Sequence, residues 1–225
     1  MVNERKFLGI VQRKNSWNDI YNLKNFIWGL QQSKAAELAL NYIKGNLKLI
    51  DLGCGYGRDI IFFRKRQKNM IIDGIDSSKR AVELYHNNLN HQIRINIRFT
   101  DILKLDKTIK EDYDIVFSNY LFNLFTYVEC RFIFQKIKKL LPYDGLLISS
   151  FVSIKDRHYG KGKKLNENLY EIFKGIPCLF FEKKMIEELV SEVDFKIIDI
   201  LHYSETEFVL GKPNQVEAYL LVAKK

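Results

Sequence analysis

Apolar positions along this chain recur with two different periods, and each switch between them marks an element. Ser33 to Tyr42 carries Ala36, Leu40 and Ile43 on one helical face, with Gly45-Asn46 as a stop. The apolar run Lys48 to Leu52 reads as a buried strand and closes in a glycine turn. A helical pattern from Ile60 to about Gln67 follows, ending in Arg64, Lys65, Arg66 and Lys68. Cations at that end favour the helix dipole. Met70 to Ile75 reads as a second strand, with Ser77-Ser78 as an N-cap signal for a helix over Lys79 to Leu89. Ile93, Ile95, Ile97 and Phe99 alternate with Arg94, Asn96 and Arg98, the period-two pattern of a strand near a sheet edge.

Further on, Tyr113 to Phe117 predicts strand four. Glu129 to Leu141 predicts a helix with Phe132, Ile133, Ile137 and Leu140 inside, and Leu146 to Ser150 predicts strand five. Lys183 to Val193 reads as an amphipathic helix. Phe195 to His202 and Ala218 to Ala223 form a terminal strand pair, with Gly211 to Asn214 in its turn. Five strands alternating with helices, then two strands joined by a turn, predict an α/β three-layer sandwich. Its sheet is mostly parallel and the last strand antiparallel. One block breaks the alternation. Ile154 to Cys178 opens with KDRHYGKGKK, shows no clear period there, and predicts a long ordered loop.

Composition narrows the class. At 225 residues and 47% hydrophobic content, the chain supports one domain with a sizeable core. The three cysteines, Cys54, Cys130 and Cys178, are far apart and show no C-x-x-C pair. That argues against a disulfide framework or a zinc site and for a reducing, cytoplasmic home. No apolar run approaches a membrane span or a secretory leader. The net charge of +9 favours anionic partners. The excess is lysine rather than arginine, so bidentate phosphate recognition is less favoured than a solvated lysine surface.

The chemistry concentrates at Lys48 to Asp59, KLIDLGCGYGRD. Gly53, Gly55 and Gly57 are spaced two apart, and Asp51 precedes them. A dinucleotide fingerprint would place its third glycine at position 58, which is Arg58, and the phosphate loop G-x-x-x-x-G-K-[ST] is absent. The turn suits a nucleoside rather than a pyrophosphate. Asp76 ends strand two about 20 residues beyond the glycines, where an acid can accept hydrogen bonds from both ribose hydroxyls. Ser118, Asn119, Tyr120 and Leu121 follow strand four, where an open parallel sheet places its ligand crevice.

These residues resemble motif I and its sequel in class I S-adenosylmethionine-dependent methyltransferases, over residues 35 to 225. The small-molecule group is most similar, and the Tyr-Gly-Lys-Gly run resembles an insertion in tellurite-resistance-like members. The resemblance implies a Rossmann-like, seven-stranded sheet and S-adenosylmethionine as cofactor. It implies cofactor contacts from Trp28, Asp51, Gly53, Cys54, Gly55, Gly57, Arg58, Asp76, Ser77, Asp101, Ile102, Asn119 and Tyr120. Asp76 would take the ribose, and Asp101 with Ile102 the adenine. Residues 1–46, rich in aromatics at Trp17, Tyr21, Phe26 and Trp28, would form a helical cap. Residues 154–181 would be an insertion over the substrate side.

Departures from the family matter too. Strand four leads into SNYLF without the two prolines of nucleic-acid amino-methyltransferases, which favours a small-molecule acceptor. Tyr143-Asp144-Gly145 has one glycine where two are common. Lys155, Arg157, Lys161, Lys163 and Lys164 would attract an anionic acceptor, and Tyr120, His158 and Tyr159 are candidate proton carriers. Methylation of RNA or protein, and a non-catalytic binding subunit, are the alternative readings.

Overall fold

The computed structural model describes residues 17–45, 47–88, 95–105, 109, 112–173 and 175–225. Its centre is a seven-stranded sheet in the order β3-β2-β1-β4-β5-β10-β9. The strands are β1 Lys48–Leu52, β2 Ile71–Asp76, β3 Asn96–Phe99, β4 Ile115–Ser118, β5 Leu146–Val152, β9 Lys196–Val209 and β10 Lys212–Lys224. β1 to β5 pair in parallel, and β10 runs antiparallel to both β5 and β9. The expected sandwich, with its reversed last strand and β3 at an edge, is therefore present. Leu89, Ile93 and Arg94, expected at the ends of helix and strand, lie outside the described residues, as do residues 1–16 of the expected cap and Asn46 of the expected stop.

Three layers follow from burial on both faces of the parallel strands. On one face, Ile50, Leu52, Val116, Leu147 and Leu221 meet Ile133 and Ile137 of α5 (Tyr127–Leu140) and Ile186 and Leu189 of α6 (Lys183–Ser191). On the other, Leu49, Phe117, Ile148 and Leu220 meet three helices. These are α2 (Lys34–Ala39, through Ala35, Ala36 and Ala39), α3 (Arg58–Arg66, through Ile60 and Phe63) and α4 (Lys79–Asn88, through Val82 and Tyr85). Helix α1 (Trp17–Leu23) adds Tyr21 to a smaller cluster with Ile27, Tyr56 and Leu84.

Three expectations need correction. Phe132 is 39% exposed rather than core, because it lies off the stripe formed by Cys130, Ile133, Phe134 and Ile137; the Lys136 ammonium sits 4.5 Å from its ring centroid. The 154–178 block is not a long loop. Most of it folds into a separate antiparallel sheet of β6 (Lys163–Asn166), β7 (Leu169–Phe173) and β8 (Ile176–Leu179). Short alternating segments escape a period search where the turns between them are tight; Asn168 supplies one with φ of 52°.

The terminal hairpin is also longer than expected. Its turn is Leu210-Gly211, with φ of 54° and 80°, the positive pair of a two-residue hairpin turn. Lys212, Pro213 and Asn214 already belong to β10. The last β5–β10 pair is Val152 with Ala218, so Ser204–Val209 and Lys212–Glu217 project beyond the sheet.

Candidate functional site

A cavity of about 480 Å³ lies at the carboxyl ends of the parallel strands, within the size range of small-ligand sites. Gly53 and Cys54 donate their N–H groups to the Ile75 carbonyl at 2.8 and 3.0 Å, which clamps the turn against β2. Gly55 donates to Asp76 Oδ2 at 2.8 Å. Gly55 has φ of 56°, and a Cβ there would stand 2.7 Å from the Tyr21 hydroxyl, so conformation and space both demand glycine. The Cys54 thiol is pushed well up by burial, then by Asp51 and Asp76; it stays a packing thiol.

Asp76 does two jobs. Oδ1 accepts from Ser78 N at 2.7 Å and so shapes the start of α4, while Oδ2 holds the glycine turn. Burial raises its pKa, and the two N–H donors oppose that rise. Each carboxylate oxygen retains a lone pair for a ligand. The Ser78 hydroxyl caps Ala81 N, which leaves Ser77 to line the cavity. Asp101 lines it as well, and its Oδ1 accepts from Leu103 N at 3.0 Å, beginning a short turn of 3-10 helix that positions Ile102. Asn119 Oδ1 accepts from the Ser150 hydroxyl at 2.5 Å. Asp51 is 3% exposed, and burial, then Asp59 and Asp76, push its pKa well up.

Trp17, Tyr21 and Trp28 close one side. The Trp28 N–H donates to the Tyr56 hydroxyl at 3.2 Å, and that hydroxyl donates to the Gly29 carbonyl at 2.5 Å. Of the expected cofactor-contact residues, Trp28, Asp51, Gly53, Cys54, Gly55, Arg58, Asp76, Ser77, Asp101, Ile102, Asn119 and Tyr120 all border the cavity. Gly57 does not; it sits behind them as the N-cap of α3, with φ of 81°.

The opposite wall was not foreseen. Glu207, on the projecting part of β9, is 7% exposed and takes the Arg58 guanidinium at 3.3 Å through Oε1. Burial, then Glu205 and Asp59, push its carboxyl up to about 7 against the pull of Arg58. Arg58 also meets Asp59 at 3.3 Å, and Asp59 accepts from both Ser33 N and Ser33 Oγ, fixing α2 to α3. Glu205 Oε1 accepts a hydrogen bond from the Tyr120 hydroxyl, and the Tyr203 hydroxyl donates to Tyr120 at 3.2 Å. Burial, then Tyr203 and Glu205, push the Tyr120 hydroxyl well up, so it is a donor held by its neighbours rather than a base. The E-T-E alternation at 205–207 was the only signal in the sequence.

The proton-carrier candidates separate. His158 lines the cavity, with Nδ1 2.9 Å from Asp156 Oδ1. Tyr159 does not; its hydroxyl donates to Asn168 Oδ1 at 2.8 Å and its ring packs on Tyr170 and Phe180. Of the five basic residues of the KDRHYGKGKK run, Arg157 alone borders the cavity, and Lys155, Lys161, Lys163 and Lys164 are exposed. No group of His, Cys, Asp and Glu suited to a metal ion occurs among the described residues. No described helix is long and apolar enough to cross a membrane.

The model of a methyltransferase domain family matches residues 43–206. The chain belongs to this family. Its sheet is that of class I S-adenosylmethionine-dependent methyltransferases. Ribosomal protein L11 methyltransferase of Thermosipho melanesiensis is 27% identical over 117 residues, 52% of this chain and 42% of that protein. Malonyl-[acyl-carrier protein] O-methyltransferase of Priestia megaterium is 27% identical over 115 residues, 51% of this chain and 40% of that protein. The chain thus spans less than half the length of these curated relatives. Among solved structures, 1,6-didemethyltoxoflavin-N1-methyltransferase of Burkholderia thailandensis, with bound 1,6-didemethyltoxoflavin and S-adenosylhomocysteine, superposes with a TM-score of 0.73. That alignment has 16% identity and covers 100% of this chain and 91% of the other.

Proposed function

We propose that this methyltransferase domain takes a methyl group from S-adenosylmethionine and passes it to a small-molecule acceptor. The observation that carries this is Asp76. It is a half-buried carboxylate with spare acceptor capacity, bonded to the side-chain-free Gly55 turn and bordering the cavity. Those residues fit the cofactor. The Gly53–Gly55 backbone allows close approach, Asp76 would accept from the ribose, and Asp101 and Ile102 would meet the adenine. Asn119 and Arg58, with Trp28 above, would border the amino-acid portion.

When bound, S-adenosylmethionine supplies an electrophilic methyl group on a cationic sulfur. The chain's own task is to align the acceptor and exclude water, which is catalysis by proximity and orientation. Trp17, Trp28, the β6–β8 sheet and the projecting hairpin enclose the space. That enclosure favours a small acceptor over RNA or a folded protein, even though one relative carries a ribosomal protein in its name. Lys155, Lys161, Lys163 and Lys164 do not border the cavity, which leaves Arg157 as the support from that run for an anionic acceptor.

Calorimetric titration with S-adenosylhomocysteine is the test, on the wild type and on Asp76→Asn. Micromolar binding, weakened about tenfold or more (about 1.4 kcal/mol) in a variant with an unchanged melting temperature, is expected. Absence of binding to the wild type would sink the cofactor site.

A further inference from the structure

Beyond the cofactor, the cavity contains a second chemical device that the methyl-transfer reading leaves unused. Asp156 is 5% exposed and fully engaged. Oδ1 accepts from His158 N at 2.8 Å, and Oδ2 accepts from Glu217 N of β10 at 3.1 Å. Its own N–H donates to Ser153 O at 3.0 Å, so the residue is fixed by strands on both sides. A carboxylate held this way is an acceptor. The imidazole nitrogen facing it, Nδ1 at 2.9 Å, therefore carries the hydrogen. That leaves Nε2 as the basic nitrogen, on a residue bordering the cavity, and no described group pairs with it. The lining of the same cavity includes Leu124, Phe125, Ile172, Ile176, Pro177 and Phe180, beside the polar Asn123, Arg157 and Asn214.

A methyl acceptor that is already ionised, or a neutral amine with a free lone pair, needs no base. A base oriented by a buried carboxylate, bordering a cavity whose lining is partly apolar, serves an acceptor whose proton must leave. We propose that the acceptor is a hydroxyl group carried on an apolar, ring-sized molecule, and that His158, positioned by Asp156, removes its proton. This rests on the methyl-transfer reading and names the acceptor class for it. The acceptor O–H bond breaks and its proton goes to His158 Nε2. The oxygen lone pair forms the new bond to the methyl carbon, and the carbon–sulfur bond breaks with its electron pair left on sulfur. The positive charge lost from sulfur thus appears on the imidazole, next to the Asp156 carboxylate. The proton then passes to solvent.

Two phenols that differ in acidity test this. 4-Methylphenol keeps its proton at neutral pH, whereas 4-nitrophenol is substantially ionised without help. With S-adenosylmethionine as donor, the wild type should methylate both. His158→Gln and Asp156→Asn should lower kcat for 4-methylphenol by about 100-fold or more, the usual worth of a positioned base. They should lower kcat for 4-nitrophenol by less than about threefold, and leave S-adenosylhomocysteine affinity unchanged. Nitrogen NMR, with the His158 signal assigned from His158→Gln, should show the Nδ1–H tautomer in the wild type and its loss in Asp156→Asn. A purely structural role would depress both phenols alike, and equal losses overturn the proposal. So does a wild type that binds S-adenosylhomocysteine but methylates neither phenol. A wild type that fails to bind S-adenosylhomocysteine removes the underlying reading and this proposal with it.

Discussion

At the scale of single residues, the cavity is defined by carboxylates in different electrostatic settings. Asp76 is half-buried and accepts two N–H groups, whereas the buried Glu207 has one guanidinium and two acidic neighbours. The folded Glu207 carboxyl keeps its proton up to about 7, and the unfolded one releases it near 4.5. The folded state therefore binds the extra proton in that window. Its stabilising share is complete below about 4.5 and is lost as pH rises through about 7. Glu207→Gln removes an ionisation that works against folding. Its melting temperature relative to the wild type should climb between pH 5 and pH 8, by the equivalent of about 2–3 kcal/mol. A difference that stays flat across that window would show that Glu207 does not titrate there. Asp76 was legible from its position beyond the glycines. Glu207 was not, because its meaning depends on a salt bridge to a residue 149 positions away.

Among the elements, α5 shows how local signals set boundaries. Its Thr126 hydroxyl accepts from Glu129 N, and the Glu129 carboxylate accepts back from Thr126 N at 2.8 Å, a reciprocal capping box. The helix starts at Tyr127, two residues earlier than the apolar stripe implied, because the cap rather than the stripe decides where it begins. Thr126→Ala should cost about 1 kcal/mol and lower the melting temperature by about 2–4 °C. Binding of S-adenosylhomocysteine should stay within about twofold, since no cavity carboxylate depends on that cap. Differential scanning fluorimetry and calorimetry check the two halves. The β6–β8 sheet was the element least visible in sequence. It is held to the domain by contacts such as Asn123 Nδ2 donating to the Leu179 carbonyl at 2.5 Å, and its short strands have little periodicity of their own.

For the whole molecule, one sheet serves two apolar layers, so its cores are coupled through shared strands. Phe117 of β4 is fully buried and meets Phe63 of α3 edge to face, 5.0 Å between centroids at 83°. Phe117→Ala should cost about 3–5 kcal/mol by lost transfer energy and cavity formation. In urea the midpoint should fall with the slope unchanged, and fluorescence and far-ultraviolet dichroism should report one transition. Separate transitions would mean that the two faces unfold independently.

The sequence by itself determined the five parallel strands and the terminal pair, the glycine turn and Asp76. Each of these is written in local periodicity or in a spacing of about 20 residues, and such signals survive without knowledge of the fold. Tertiary structure alone decided the other half of the cavity. Glu207 reaches Arg58, Glu205 takes the Tyr120 hydroxyl, and Asp156 is fixed by a β10 amide, because the terminal hairpin runs past the sheet and lies over it. The tip of that hairpin reaches the N-terminal segment, where Leu210 N donates to the Ile27 carbonyl at 3.0 Å. A buried charge or a committed proton is a property of its surroundings, and those surroundings come from chain segments 149 residues and more apart, where no sequence period can register them.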